Sequence, residues 1–171
     1  GSVGAAFVGD NSSFGMTAPL NGQRFRFGAR QYFGEFSYTS PYLDYRIYRF
    51  YKPIGFAFRA MHLGRYGQDA DVFFPYYVGS PWFVRGLGAQ AREDLQVTGE
   101  ITDDNLFGSK MFISNFEVRI PFSGPKQLAL LKSGFLFSDL NFFVDAGLVF
   151  NDFEQFDTDN NLSGFSDAKP V

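Results

Sequence analysis

Two carboxylates are the strongest candidates for chemistry in this sequence, because each lies inside a long run of alternating apolar and polar residues. Glu117 belongs to the run that begins near residue 109, and Asp145 belongs to the next such run along the chain. Two carboxylates on neighbouring strands can act as a general acid and a general base, as in glycoside hydrolysis. A charge in the middle of a strand also needs a wet or paired environment. A paired or hydrated position in mid-strand is therefore the alternative interpretation of these two carboxylates.

The other motifs that could carry chemistry are weak. His62 is the only histidine and the chain has no cysteine, so no Ser–His–acid arrangement, Cys–His arrangement or cysteine-ligated metal can be proposed. The run 86–91 resembles a dinucleotide fingerprint, but it follows no buried strand and opens no helix. Residues 157–161 begin like a calcium loop, yet Leu162 occupies the glycine position and Ala168 the position of the closing glutamate. We predict no cofactor and no metal.

Composition favours β structure with large apolar side chains spread along the chain. Of 171 residues, 20% are aromatic, 24 of them Phe, and only 19% are charged. These proportions disfavour a coiled coil, and the formal net charge of -3 without a basic run disfavours nucleic-acid binding. No stretch approaches eighteen consecutive apolar residues, so no transmembrane helix is predicted, and no signal peptide is visible.

The spacing of apolar residues predicts about six long antiparallel strands around one very long connection. Each run is about ten residues, which is the length that a tilted strand needs to cross a bilayer. One face of the runs is unusually aromatic, and the other carries whole charges in mid-strand, including Arg59, Glu117 and Asp145. The pattern therefore fits a transmembrane β-barrel with a polar lumen, and a soluble β-sandwich is the alternative. The predicted strands are 3–10, 23–33, 42–51, 54–63, 109–122 and 139–151, with the long loop at 64–108.

Two short motifs occur in a fixed order within this pattern. The long loop contains Trp-Phe-Val-Arg-Gly-Leu at 82–87, and the last predicted strand contains Phe143, Asp145 and Gly147 at alternate positions. In this order, with these strands around them, they resemble the Omp85 superfamily of outer-membrane β-barrels. That family has a Val-Arg-Gly-Phe/Tyr motif at the tip of its sixth extracellular loop and a Phe-x-Asp-x-Gly motif two strands later. Leu87 departs from the family's aromatic residue, and the likeness spans roughly residues 14–150.

The resemblance implies an all-β fold, an antiparallel transmembrane β-barrel of the Omp85 type with a long extracellular loop that folds into the lumen. On this basis residues 1–171 form part of one barrel domain and supply about six of the family's sixteen strands. Six strands alone leave two unpaired edges, which a bilayer does not tolerate. We therefore expect the chain to be a piece of a larger barrel.

The resemblance also assigns roles to the motif residues. Arg85 would contact Asp145 on the lumen wall, with Glu117 on the neighbouring strand as its second partner. A guanidinium suits this position because its planar fork can bond two carboxylates and stays charged when desolvated. Such contacts account for both carboxylates and leave no catalytic role, so the resemblance implies a protein that is not an enzyme. The expected loop-tip motif is Val84, Arg85, Gly86 and Leu87, and the expected barrel motif is Phe143, Asp145 and Gly147.

The function implied by the resemblance is non-catalytic assembly, insertion or translocation of polypeptides at the bacterial outer membrane. The implied partners are outer-membrane lipid, unfolded outer-membrane protein clients and periplasmic accessory lipoproteins, with no nucleic acid. Within the same superfamily, the alternative is a barrel that anchors, or forms a pore for, a fused patatin-like or propeller domain. Outside it, the alternative is a soluble β-sandwich binding module.

Overall fold

The structure, a computed structural model, is mostly antiparallel β-sheet, in agreement with the predicted all-β class. It describes residues 1–15, 17–87, 93, 96–98 and 106–151. Six long strands form one sheet, and four two-residue strands accompany them. The long strands are β1 (Ser2–Asp10), β3 (Pro19–Tyr32), β4 (Tyr38–Tyr51), β5 (Ile54–Gly64), β8 (Lys110–Gly124) and β10 (Ser138–Phe150). The short strands are β2 (Ser13–Phe14), β6 (Tyr76–Tyr77), β7 (Phe107–Gly108) and β9 (Leu131–Lys132).

The long strands follow the predicted runs, with shifted ends. The sheet order is β1-β3-β4-β5-β8-β10, so sequential long strands are neighbours throughout. Both β3 and β4 begin four residues before the predicted starts at 23 and 42, because the two strands extend their mutual pairing and β3 also pairs with β2. The predicted loop 64–108 contains the paired strands β6 and β7. Among the described residues, β1 pairs only with β3 and β10 only with β8, so this sheet is open at both edges.

The two faces of the sheet differ sharply in polarity. One row across four strands joins Ile47, Phe58, Phe116 and Val144, each directly opposite the next. Because side chains alternate between faces along a strand, this row and its neighbours form what we term the apolar face. Its large side chains are solvent-exposed, and they include Phe7, Phe27, Leu43, Phe56, Phe58, Phe112, Phe116, Phe142 and Val144.

The opposite face carries the charges. The adjacent row joins Arg46, Arg59, Asn115 and Asp145 across the same four strands. We term this surface the charged face; its charged members on β4, β5, β8 and β10 include Asp44, Arg46, Arg59, Glu117, Arg119 and Asp145. The sheet therefore exposes apolar groups on one side and gathers ionic groups on the other, which reverses the arrangement of a sheet that packs on a hydrophobic core.

The apolar core lies between the long connection and one end of the charged face. Val78 and Leu106 are fully buried, and the backbone amide of Val78 donates to the carbonyl of Leu106. The connection therefore folds back onto the strands. Its core cluster consists of Met61, Val78, Val84, Leu87, Leu106, Met111, Ile113 and Val149.

At the other end of the charged face, Thr17 contacts the sheet. The Thr17 hydroxyl donates a hydrogen bond to the Asp139 carboxylate at the start of β10. This contact joins segments at opposite ends of the sheet order, so the charged face is concave.

In the part of the chain that the structure describes, no helix is both long enough and apolar enough to cross a membrane.

Candidate functional site

The segment 80–87 lies on the charged face and is held in a tight turn. The amides of Phe83 and Val84 both donate to the carbonyl of Ser80, at 2.9 and 3.1 Å. The Asn115 side chain, which projects from β8, donates to the carbonyl of Phe83 at 2.8 Å. Because the turn is fixed both internally and to the sheet, the next side chain, that of Arg85, is directed at the strands.

Arg85 contacts Asp145 through three hydrogen bonds. Its Nε donates to Oδ2 at 2.8 Å, its Nη2 to Oδ1 at 2.6 Å, and its main-chain amide to Oδ2 at 2.9 Å. The Asp145 side chain is 2% exposed and that of Arg85 35%. The hydrogen bonds that Arg85 donates to the Asp145 carboxylate raise the pKa of the Arg85 guanidinium, so Arg85 stays charged. A buried carboxylate without this partner would be strongly unfavourable.

Glu117 is the second acidic group that the structure brings to Arg85. Its Oε1 accepts from Arg85 Nη1, and its Oε2 accepts from Arg119 Nε at 2.6 Å. The Arg85 guanidinium also lies over the ring of Phe143, 4.1 Å from the ring centroid. The residues that the sequence motifs singled out thus meet at one place, where β8, β10 and the turn 80–87 converge.

The small and apolar motif residues make this contact geometrically possible. Gly147 faces the turn, and a Cβ at that position would overlap Val78 Cγ2 and lie 3.0 Å from Val84 Cγ2. Gly86 has a φ of 88°, in the left-handed region that favours glycine. Val84 and Leu87 are buried in the core cluster. The motif therefore combines an ionic contact with close packing of the loop against β10.

A second ionic cluster on the charged face was not predicted. Asp44 is buried and accepts from both Arg46 and Arg59. Arg46 donates through Nε at 3.0 Å and Nη2 at 2.8 Å, and Arg59 does the same at 3.1 and 2.9 Å. The β4–β5 register was the available signal: it places the two arginines directly opposite each other. Like charges opposite one another are destabilising, so a neighbouring carboxylate is needed between them.

Arg65 is another functional candidate that sequence reasoning missed. It is buried at the start of the long connection, where Nε donates to the carbonyl of Ala70 at 3.0 Å and Nη2 to that of Phe74 at 2.9 Å. Its guanidinium also stacks on the Tyr76 ring, 4.8 Å from the centroid. Arg65 therefore organises the first part of the connection. Its acceptors are main-chain carbonyls of an irregular segment, which leave no sequence signal.

The other sequence candidates take no part in this site. The ring nitrogens of His62 lie 3.0 Å from the Met111 carbonyl oxygen and 2.8 Å from the Tyr66 hydroxyl. The calcium-like run 157–161 and most of the run 86–91 lie outside the described residues. Within the described ranges, no three His, Cys, Asp or Glu residues are grouped so as to hold a metal ion.

The arrangement as a whole is suited to positioning a loop. Glu117 and Asp145 both accept hydrogen bonds from arginine, and Asp145 is almost fully buried. A bidentate ion pair of this kind fixes the relative geometry of the groups that it joins.

No family model, no curated protein and no solved structure matches this chain. The resemblance to the Omp85 superfamily therefore depends on the two motifs and on the strands around them.

Proposed function

We propose that this chain is part of the wall of an Omp85-type β-barrel in the bacterial outer membrane, where it acts without catalysis in assembly, insertion or translocation of polypeptides. The apolar face would contact lipid, and the charged face would line an aqueous lumen. The turn 80–87 would be fixed in that lumen by Arg85. By the same resemblance, its partners are lipid, unfolded outer-membrane proteins and periplasmic accessory lipoproteins.

The observation that carries this proposal is the polarity of the two faces. Phe116 and Val144, opposite one another on β8 and β10, are 43% and 69% exposed. A contiguous exposed apolar surface is unfavourable in water and marks contact with another apolar medium. The three longest strands, β3, β4 and β8, have 14, 14 and 15 residues, beyond the roughly 9–11 that a tilted strand needs to cross the hydrocarbon layer.

The charged face supports the same proposal from the other side. Asp44, Glu117 and Asp145 lie in mid-strand together with arginines, an arrangement that hydrocarbon would not tolerate but a hydrated lumen would. A soluble β-sandwich would instead cover the apolar face with a second sheet. The exposure of that face therefore favours lipid over a sandwich partner.

A matched pair of label sites on β3 tests the membrane assignment. Arg26 and Phe27 are adjacent, both are exposed, and their side chains point to opposite faces. The 171 residues contain no cysteine, so Arg26→Cys and Phe27→Cys can each carry one spin label in the natural protein, cleared of any other cysteine. In native membranes, the label at position 27 should be more accessible to oxygen and the label at 26 to a water-soluble nickel complex.

One outcome would exclude the membrane assignment, and a second experiment separates the two proposed roles. Equal nickel accessibility at both positions, together with recovery of the protein in the aqueous fraction without detergent, would exclude the membrane assignment. If the assignment holds, depletion of the protein separates its roles. An assembly role predicts a general loss of folded outer-membrane proteins, whereas an anchor or pore for a fused domain predicts that their levels stay unchanged.

A further inference from the structure

A cavity of about 250 Å³ lies on the charged face, between the turn at 81–85 and the strands β4, β5 and β8. The small side chain of Ala57, directly opposite Glu117, leaves room for it on the sheet floor. Trp82 also lines the cavity, although this residue is 85% exposed. The lining is otherwise rich in cations, which comprise Arg46, Arg59, Arg85 and Arg119.

The charge around this cavity is unbalanced in favour of cations. Its four arginines are paired with three carboxylates, those of Asp44, Glu117 and Asp145, which leaves a formal charge of +1. Asp44 and Asp145 are deeply buried, with side chains 7% and 2% exposed, and they do not line the cavity, whereas Glu117 does. A solute in the cavity would therefore meet four guanidinium groups and one carboxylate.

Two of these arginines retain unused donors. Arg59 donates to Asp44 through Nε and Nη2, and among the described residues its Nη1 has no acceptor. Arg119 donates to Glu117, and its buried Nη1 has no hydrogen-bond partner. A guanidinium N–H bonds most strongly to a charged oxygen. Arg119 Nη1 has almost no exposed surface, so its side chain must shift for this donor to meet a solute in the cavity, whereas the unused donor of Arg59 requires no such exchange of internal contacts.

We propose that this cavity binds a small oxyanion, a carboxylate or a phosphate group, through Arg59 and Arg119, with Trp82 at its mouth. The two anion types share the oxygen geometry that a guanidinium fork matches. A planar portion of a larger ligand could stack on the exposed indole. This inference goes beyond the proposed function, and it holds whether or not the sheet lies in a membrane.

The only tryptophan of the 171 residues provides a direct readout, because Trp82 lines the cavity. The natural protein in detergent is titrated with sodium phosphate and, separately, with sodium acetate, each against sodium chloride at equal ionic strength. The Trp82→Phe variant supplies the background from any other fluorophore. A saturable change in Trp82 emission with either oxyanion is expected. A response indistinguishable from that of chloride for both would overturn the proposal.

Conservative variants test the assigned donors. Arg59→Lys and Arg119→Lys keep the charge beside Asp44 and Glu117 but remove the unused Nη1 groups, so each should weaken binding about tenfold. The control is Arg24→Gln, because Arg24 pairs with Asp10 on the exposed edge of the sheet and does not line the cavity. Undiminished binding in the double lysine variant would contradict the assignment.

A further measurement does not depend on the folding of the lysine variants. A ligand that binds only the folded state raises the unfolding temperature, so the unaltered protein should unfold at a higher temperature in phosphate or acetate than in chloride. Asp44→Asn replaces one of the two oxygens that accept from Arg59 with an amide NH₂ and adds one unit of positive charge. Its stabilisation by the oxyanion should exceed that of the unaltered protein. Equal unfolding temperatures in all three salts would overturn the proposal.

Discussion

Arg85 is joined to Asp145 through both its main chain and its side chain. The main-chain amide and Nε donate to the same oxygen, Oδ2, at 2.9 and 2.8 Å, while Nη2 donates to Oδ1. One carboxylate on β10 therefore holds the backbone of the long connection as well as the guanidinium. Substitutions at the two positions should therefore have different effects, because a change of side chain at position 85 leaves the hydrogen bond from its main-chain amide to Asp145 in place.

The first prediction is an order of loop mobility. Asp145→Ala removes three hydrogen bonds but leaves Arg85 paired with Glu117. Arg85→Ala removes two bonds to Asp145 and one to Glu117 and leaves a buried carboxylate without a partner, whereas Arg85→Lys keeps a point charge near Asp145. Limited proteolysis of the connection should therefore be faster for both alanine variants than for Arg85→Lys. Function should also fall further in the alanine variants than in Arg85→Lys. Each charge-assisted hydrogen bond is worth about 1.5–3 kcal/mol.

The control for this series is an exposed ion pair. Arg24 and Asp10 form a salt bridge in which both side chains are well exposed, and such pairs contribute at most about 1 kcal/mol. Arg24→Ala should therefore leave proteolysis of the connection unchanged. An Arg85→Ala variant that is as protease-resistant and as active as the parent protein would falsify the role of this contact.

The second prediction concerns the contact between Gly147 and the connection. A methyl group at position 147 would overlap Val78 and press on Val84, so Gly147→Ala should destabilise the protein by about 1–3 kcal/mol, as overpacking does. Adding Val78→Ala makes room for that methyl group, so the double variant should cost less than the sum of the single changes in denaturant unfolding. Gly134→Ala is the control, because a Cβ there contacts nothing within 4 Å.

Much of the sheet could be predicted because alternation is a local signal. Phe116 and Glu117 are neighbours in sequence and lie on opposite faces, as the pattern indicates. The start of β3 could not be predicted in this way. Pro19, Asn21 and Gly22 are turn formers, yet β3 begins at Pro19 because β2 and β4 pair with it. There the Asn21 side chain accepts from the amide of Phe50 at 3.0 Å, so tertiary contacts override the local preference.

The candidate site was predictable in part. Glu117 and Asp145 stood out as charges in mid-strand, Arg85 and its pairing with them came from the resemblance, and the structure brings all three together. Asp44 belongs to neither motif, and its importance depends on Arg46 and Arg59 facing each other across a hairpin. That register follows from the turn at Lys52-Pro53, which makes residue 51 pair with residue 54. The pairing of Arg46 with Arg59 could therefore have been inferred from the sequence, but only the structure shows that Asp44 bonds to both.

The third prediction follows from the assignment of the apolar face to lipid. Asn141 and Phe142 are adjacent on β10 and project from opposite faces. An arginine on a lipid-facing strand position costs about 2–4 kcal/mol near the bilayer midplane, whereas lumen positions accept charge. Phe142→Arg should therefore sharply reduce the amount of heat-modifiable protein in the membrane fraction, and Asn141→Arg should not. Equal yields of the two variants would argue that lipid does not cover this face.

The fourth prediction concerns Arg65, the buried organiser of the connection. Arg65→Ala leaves the carbonyls of Ala70 and Phe74 without their donor and removes the cation from the Tyr76 ring. We expect faster proteolysis within residues 67–75 and a loss of about 1–3 kcal/mol of stability. Arg65→Lys should restore part of the resistance, because an ammonium can reach one of the carbonyls but cannot span both.

The control for Arg65 also separates it from the Arg85 contact. Asp71 is exposed in the same segment, so Asp71→Asn should leave cleavage unaltered. Arg65 and Arg85 fix different parts of one connection, and the core residue Val78 lies between them in sequence. If the two anchors act independently, the effects of Arg65→Ala and Arg85→Ala on stability should add to within about 0.5 kcal/mol. A larger deviation would mean that the connection is released from the charged face as one cooperative unit.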